Sequence, residues 1–144
     1  MIKNEPIAGS IGSSPQRRVG KSGDPATIVD LVGDVDAGSM KRVIATLNSA
    51  MKQSGGAVIV SFERAEFFES SLLRELVRVG HALAKGQRRL LVAMPRGHPG
   101  RRIFHVLNLD RMFECFESQA QALKSTPYLG PSRGAAFDRL QSWA

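Results

Sequence analysis

The chain is 144 residues long, the length of one domain, and 42% of it is hydrophobic, enough for a core and too much for a wholly disordered protein. Twenty Lys and Arg against 13 Asp and Glu leave a net charge of +7, and the single cysteine excludes both a disulfide framework and a Cys-rich zinc site. No apolar run approaches the roughly 18 residues of a membrane span. The N-terminal MIKNEPIAGSIGSSPQ lacks the apolar stretch of a secretory signal, so a reduced, cytoplasmic setting without membrane contact is expected. The basic excess is local: residues 76–109 contain seven Lys and Arg, no acid, and all three histidines, His81, His98 and His105.

In chain order, residues 1–26 are rich in Gly, Ser and Pro and read as a flexible segment, with a short strand possible at Gln16–Val19. Thr27–Val32 reads as a strand, and Gly33-Asp34-Val35-Asp36 as a turn. Ser39–Gln53 has Met40, Val43, Ile44, Leu47 and Met51 at helical spacing. Ala57–Phe62 is a β-branched strand of the buried type. Ser70–Lys85 is a second amphipathic helix that ends at Gly86, and Leu90–Met94 is a third apolar strand. Arg101–Asn108 is a third helix with Ile103, Val106 and Leu107 expected inward. Phe113–Phe116 is a short strand holding Cys115 as a structural thiol. Ser118–Leu123 is a last helix with Ser118 as its cap. Residues 125–144 are a C-terminal segment in which Phe137, Leu140 and Trp143 would line a short helical turn. Strands alternating with helices predict an α/β fold: a single domain over residues 27–124, with a mixed, mostly parallel sheet of four to five strands and about four helices packed against it.

The most informative stretch is Phe67-Phe68-Glu69-Ser70-Ser71-Leu72-Leu73. Two aromatics enter the core, then an acid and two serines open a helix. Either serine suits a helix cap, because a hydroxyl accepts from the free N–H groups of the first turn. The same position offers backbone donors and a favourable dipole to a phosphate. Composition and spacing do not choose between a plain cap and a phosphorylatable hydroxyl.

Three segments carry a resemblance. VDLVGDVDAGSMKRVIATL (residues 29–47), AVIVSFERAEFFESSLLREL (57–76) and LLVAMPRGHPGRRIFHVLNLDRMFECFESQAQAL (90–123) resemble, in order, three parts of the STAS domain of anti-sigma-factor antagonists. These parts are its opening strand and helix, its central strand with the following helix start, and its closing strand-and-helix region. The resemblance implies a binding protein rather than an enzyme, with no cofactor and no metal. It implies a partner anti-sigma factor that is also a GHKL-type serine kinase, and a phosphatase that resets the switch. The phosphoacceptor would be Ser70, with Ser71 as second choice. Asp36, Glu69, Ser70, Ser71, Leu72, Arg74, Arg78 and His81 would form the partner surface. Glu69 stands where the family usually has Asp, Leu72 where it usually has Gly, and Ser61 where the central strand often has an acid or amide. Leu72 would add bulk beside the phosphoacceptor. The alternative the resemblance leaves open is a non-phosphorylated STAS interaction module in a sensory or transport complex.

Other readings have less behind them. Arg74, Arg78, His81 and Lys85 fall on one helix face, either a solvated face or a docking stripe for an acidic partner. Nucleic-acid binding is disfavoured, because the basic residues are not interleaved with surface aromatics and no recognition motif is present. The three histidines have no metal-ligand spacing. Ser10, Ser13 and Ser14, near Arg17 and Arg18, are further candidates for modification.

Overall fold

The computed structural model describes residues 16–19, 25–53 and 56–125. The expectations placed on Ser10, Ser13 and Ser14 and on the turn at Phe137–Trp143 lie outside them. The elements are β1 (Gln16–Val19), β2 (Pro25–Val35), α1 (Ala37–Lys52), β3 (Ala57–Phe68), α2 (Ser70–Lys85), β4 (Leu90–Ala93), α3 (Gly100–Val106), α4 (Leu109–Met112), β5 (Glu114–Phe116) and α5 (Gln119–Lys124). One five-stranded sheet runs β1-β2-β3-β4-β5. β1 is antiparallel to β2, and β2 through β5 are parallel. This is the mixed α/β fold expected from the alternating pattern.

The period-2 alternation of strand side chains divides the core. Val29, Leu31, Val58, Val60 and Val92 face α1 to α4, meeting Val43, Leu47, Leu72, Leu76, Val79 and Phe104. Ile28, Ile59, Leu91 and Ala93 face the other way, where Ala122 of α5 covers them with the half-buried Phe116 and Leu123. Buried Ser61 faces α5 as well: its hydroxyl accepts from the Gln119 side-chain amide at 3.0 Å and so ties that helix to β3.

Two strands are longer than their apolar runs. β2 passes through Gly33-Asp34-Val35 instead of turning there, and β3 continues past Phe62 to Phe68. Backbone pairing explains the difference, because main-chain groups must be satisfied whatever the side chains are. β2 and β3 remain paired up to Val35 and Phe68, with register shifts after Asp30 and Gly33, while β4 ends opposite Ser61. Beyond that point the two strands form a ribbon of their own. Gly33 sits at φ 71° at the second shift, a conformation that glycine adopts without strain. Arg64 pairs with Asp30 across the ribbon.

α3 is turned differently from the expectation. Ile103, Val106 and Leu107 are exposed, and Gly100 and Phe104 are the residues it buries. A seven-residue helix has one inward stripe, and Phe104 takes it, packed between Phe62 (ring centroids 5.9 Å apart) and Phe113 (6.4 Å). A similar correction applies at the end of β3, where Phe68 is buried edge-on to Phe62 but Phe67 is 55% exposed.

Candidate functional site

The site is built where the β2–β3 ribbon ends. Val35 and Phe68 are paired, and the Glu69 N–H donates to the Val35 carbonyl at 3.0 Å. Asp36 and Glu69 therefore leave the sheet side by side, each as the N-cap of a 16-residue helix. Phe68 anchors this end: a methyl group built on Gly100 would lie 2.9 Å from its ring, so α3 begins directly against it.

The two helix starts differ in their chemistry. At α1, the Asp36 carboxylate accepts from the Ser39 N–H at 3.2 Å, while the Ser39 hydroxyl accepts from the Asp36 N–H at 3.1 Å. This reciprocal box closes the helix end. At α2, Glu69 makes no side-chain cap bond. Its equivalent of Ser39 is Leu72, which has nothing to give back. The expectation that Ser70 or Ser71 caps the helix is not met; both serines lie inside its first turn.

Ser70 is exposed at the first position of α2. Ser71 follows with its hydroxyl oxygen buried and without a hydrogen-bond partner among the described residues. Ser71 is partly exposed as a residue, but its hydroxyl is turned away from solvent in this conformation. Leu72 is fully buried against the core, so it belongs to the packing and not to a partner surface. Two residues along a helix turn the side chain by about 200°, which carries Leu72 to the far side from Ser70. The feared obstruction of Ser70 is therefore absent.

Along α2, Arg74, Arg78 and Lys85 are exposed and His81 is half-buried. Arg78 is engaged within the chain, donating to Glu75 at 2.8 Å and to the Asn48 side chain of α1 at 2.9 Å. The stripe thus also clamps α2 to α1. The histidines lie apart. His98 accepts from the Gly100 N–H through Nδ1 at 2.9 Å and points Nε2 at the Ala65 carbonyl, which makes it a brace between α3 and β3. His105 pairs with Asp110 at 3.1 Å. Cys115 is half-buried, and that burial pushes its thiol up to about 11 against the opposing pull of the Arg101 guanidinium, so it is protonated at neutral pH. Exposed Phe67, one residue from the ribbon's end, escaped the sequence reading; inward-facing Phe62, Ala65 and Phe68 are the signal that places it outside.

An open, largely parallel five-stranded sheet with four helices on one face and a short one on the other defines the class of this domain. Within that class the chain belongs to the STAS domain family, whose model matches residues 18–122. Solved structures share the fold. An anti-sigma factor antagonist from Mycobacterium paratuberculosis is 18% identical, covers 80% of this chain and 94% of its own, and superposes with a TM-score of 0.63. An anti-sigma-factor antagonist (STAS) domain protein from Planctomyces limnophilus is 16% identical, with 81% and 100% covered and a TM-score of 0.67. The Bacillus cell fate determinant SpoIIAA in its phosphorylated form is 19% identical, with 76% and 96% covered and a TM-score of 0.53. No curated protein matches the sequence. Among the described residues, no helix is long and apolar enough to cross a membrane.

Proposed function

We propose that this chain acts by binding, as an anti-sigma-factor antagonist. Its partner is an anti-sigma factor with serine-kinase activity, and phosphorylation of Ser70 breaks the contact until a phosphatase restores it. The partner surface is the ribbon end and the outer face of α2: Asp36, Glu69, Ser70, Arg74, Arg78 and His81. The observation that carries the reading is the exposed Ser70 hydroxyl at a helix start with no side-chain cap, with Leu72 turned away beneath it. The first-turn N–H groups favour a phosphate there. A phosphate adds about −1.5 to −2 charges, which at a packed contact beside Asp36 and Glu69 means repulsion and desolvation. A kinase that binds this face can therefore eject its own product. The phosphorylated form of the similar SpoIIAA agrees with such a cycle.

The test pairs Ser70→Ala with Ser70→Asp in pull-down and calorimetry against a candidate anti-sigma kinase loaded with ATP. Binding retained by Ser70→Ala and lost by Ser70→Asp is expected, with mass spectrometry finding phosphate on Ser70 of the wild-type chain alone. Equal binding by both variants, with no phosphate transferred, would sink the switch and leave a non-switching interaction module.

A further inference from the structure

Four large apolar side chains are exposed among the described residues: Phe67 (55%), Ile103 (41%), Val106 (68%) and Leu107 (54%). They form two patches on different elements. Phe67 stands at the end of the β2–β3 ribbon. Ile103, Val106 and Leu107 follow one another at i, i+3 and i+4 along α3 and its C-cap, a spacing that makes a single stripe. Exposed apolar groups gathered in this way and rimmed by charge mark contact surfaces.

The two patches are opposite in sign. Residues 33–40 and 65–73, which build the ribbon end, hold Asp34, Asp36, Glu66 and Glu69 and no Lys or Arg. Asp34 is paired with Phe67 across the ribbon, so the two share a face. Residues 95–109 hold Arg96, Arg101, Arg102, His98 and His105 and no acid. Arg102 and His105 lie at i and i+3, a basic stripe beside the apolar one. Arg96 and His105 have exposed pairs of their own, with Glu117 and Asp110. Asp34, Glu66 and Arg102 have no ion-pair partner among the described residues. The patches cannot satisfy each other within one chain. α3 turns Gly100 and Phe104 toward Phe68 and Phe62, so its outer side points away from the ribbon.

We infer that the occupant of each patch is a second copy of this chain: the ribbon end of one molecule docks on the outer face of α3 of the next. Phe67 packs on the Ile103–Val106–Leu107 stripe, and Arg102 meets Asp34 and Glu66 at its edge. Charge complementarity sets the pairing, because α3 against α3 or ribbon against ribbon would bring like charges together. A contact between two different patches does not close on itself, so the association is head-to-tail and open-ended. With so few apolar groups on each side it is weak and reversible. The ribbon end includes Asp36 and Glu69, so a docked molecule has part of its proposed partner surface covered. The contact itself rests neither on a kinase nor on phosphorylation of Ser70.

The test is analytical ultracentrifugation of the full-length chain alone, from micromolar to millimolar concentration at low salt. The average mass is expected to rise above the 15.6 kDa of one chain, to pass the dimer without a plateau, and to fall when salt is added. Phe67→Ser and Val106→Asp change one patch each at exposed positions. Each is expected to weaken association about tenfold or more, as the loss of a central anchor does. An equimolar mixture of the two variants is expected to form one-to-one pairs and nothing larger, since each retains the face the other lacks. The mixture also shows that both variants fold, because only a folded chain supplies its remaining face. Four outcomes overturn the inference: a wild type that stays at the mass of one chain at millimolar concentration, a wild type that stops at a dimer, Phe67→Ser associating as the wild type does, or a mixture that remains monomeric.

Discussion

The starts of α1 and α2 are near-twins in backbone and opposites in chemistry. Each follows a paired residue at the end of a neighbouring strand, each has an extended N-cap, and each opens a helix of 16 residues. Asp36 and Ser39 seal the first with a capping box. Glu69 and Leu72 leave the second open, since Glu69 makes no cap bond and Leu72 faces the core. α2 is therefore held from below, by packing, while its first turn stays available from above. Stability and accessibility have been assigned to different residues of one turn.

The largest effect on this comparison is expected from Leu72→Ala, which removes the buried anchor. Loss of a fully buried leucine costs about 2–5 kcal/mol, so a chemical-denaturation curve is expected to show a markedly lower midpoint. An unchanged midpoint would mean that α2 is held by something other than Leu72. Next comes Asp36→Ala, which opens the sealed start. It is expected to lower stability by about 1 kcal/mol, and hydrogen exchange is expected to quicken in the first turn of α1. Glu69→Ser runs the other way, supplying a cap of the right length to α2. A gain of about 0.5–1 kcal/mol is expected, together with slower exchange at Leu72; a loss would show that Glu69 has a structural role its geometry does not reveal. The smallest effect is expected from Arg78→Ala. Its bonds to Glu75 and Asn48 are both on the surface, so a change within about 0.5 kcal/mol is expected, and high salt should reduce the part due to Glu75.

Much of the architecture was legible because periodicity and punctuation agreed. α2 begins at Ser70 and ends at Lys85 as the apolar spacing predicts, with Gly86 as its C-cap, and Ser118 caps α5 through the Gln121 N–H at 3.1 Å. The strand ends were hidden because Asp30, Gly33, Glu63 and Arg64 interrupt the apolar runs, whereas pairing between strands uses only the backbone. The face of α3 was hidden because four apolar side chains compete for one stripe and bulk decides in favour of Phe104. At the site, Glu69 and Ser70 could be read as the mouth of a helix. The roles of Ser71 and Leu72 could not, because adjacency in the chain conceals rotation about the helix axis.

The order of strands across the sheet equals their order along the chain. Every strand thus docks on the one made just before it, and no strand must wait for a distant segment to complete its ladder. The parallel pairings still span 31 residues from Ala26 to Ala57 and 32 from Val58 to Leu90, so each ladder closes once the single helix between its strands is in place. Such a chain can assemble in the direction of its synthesis, growing from the β1–β2 edge toward β5 as it leaves the ribosome.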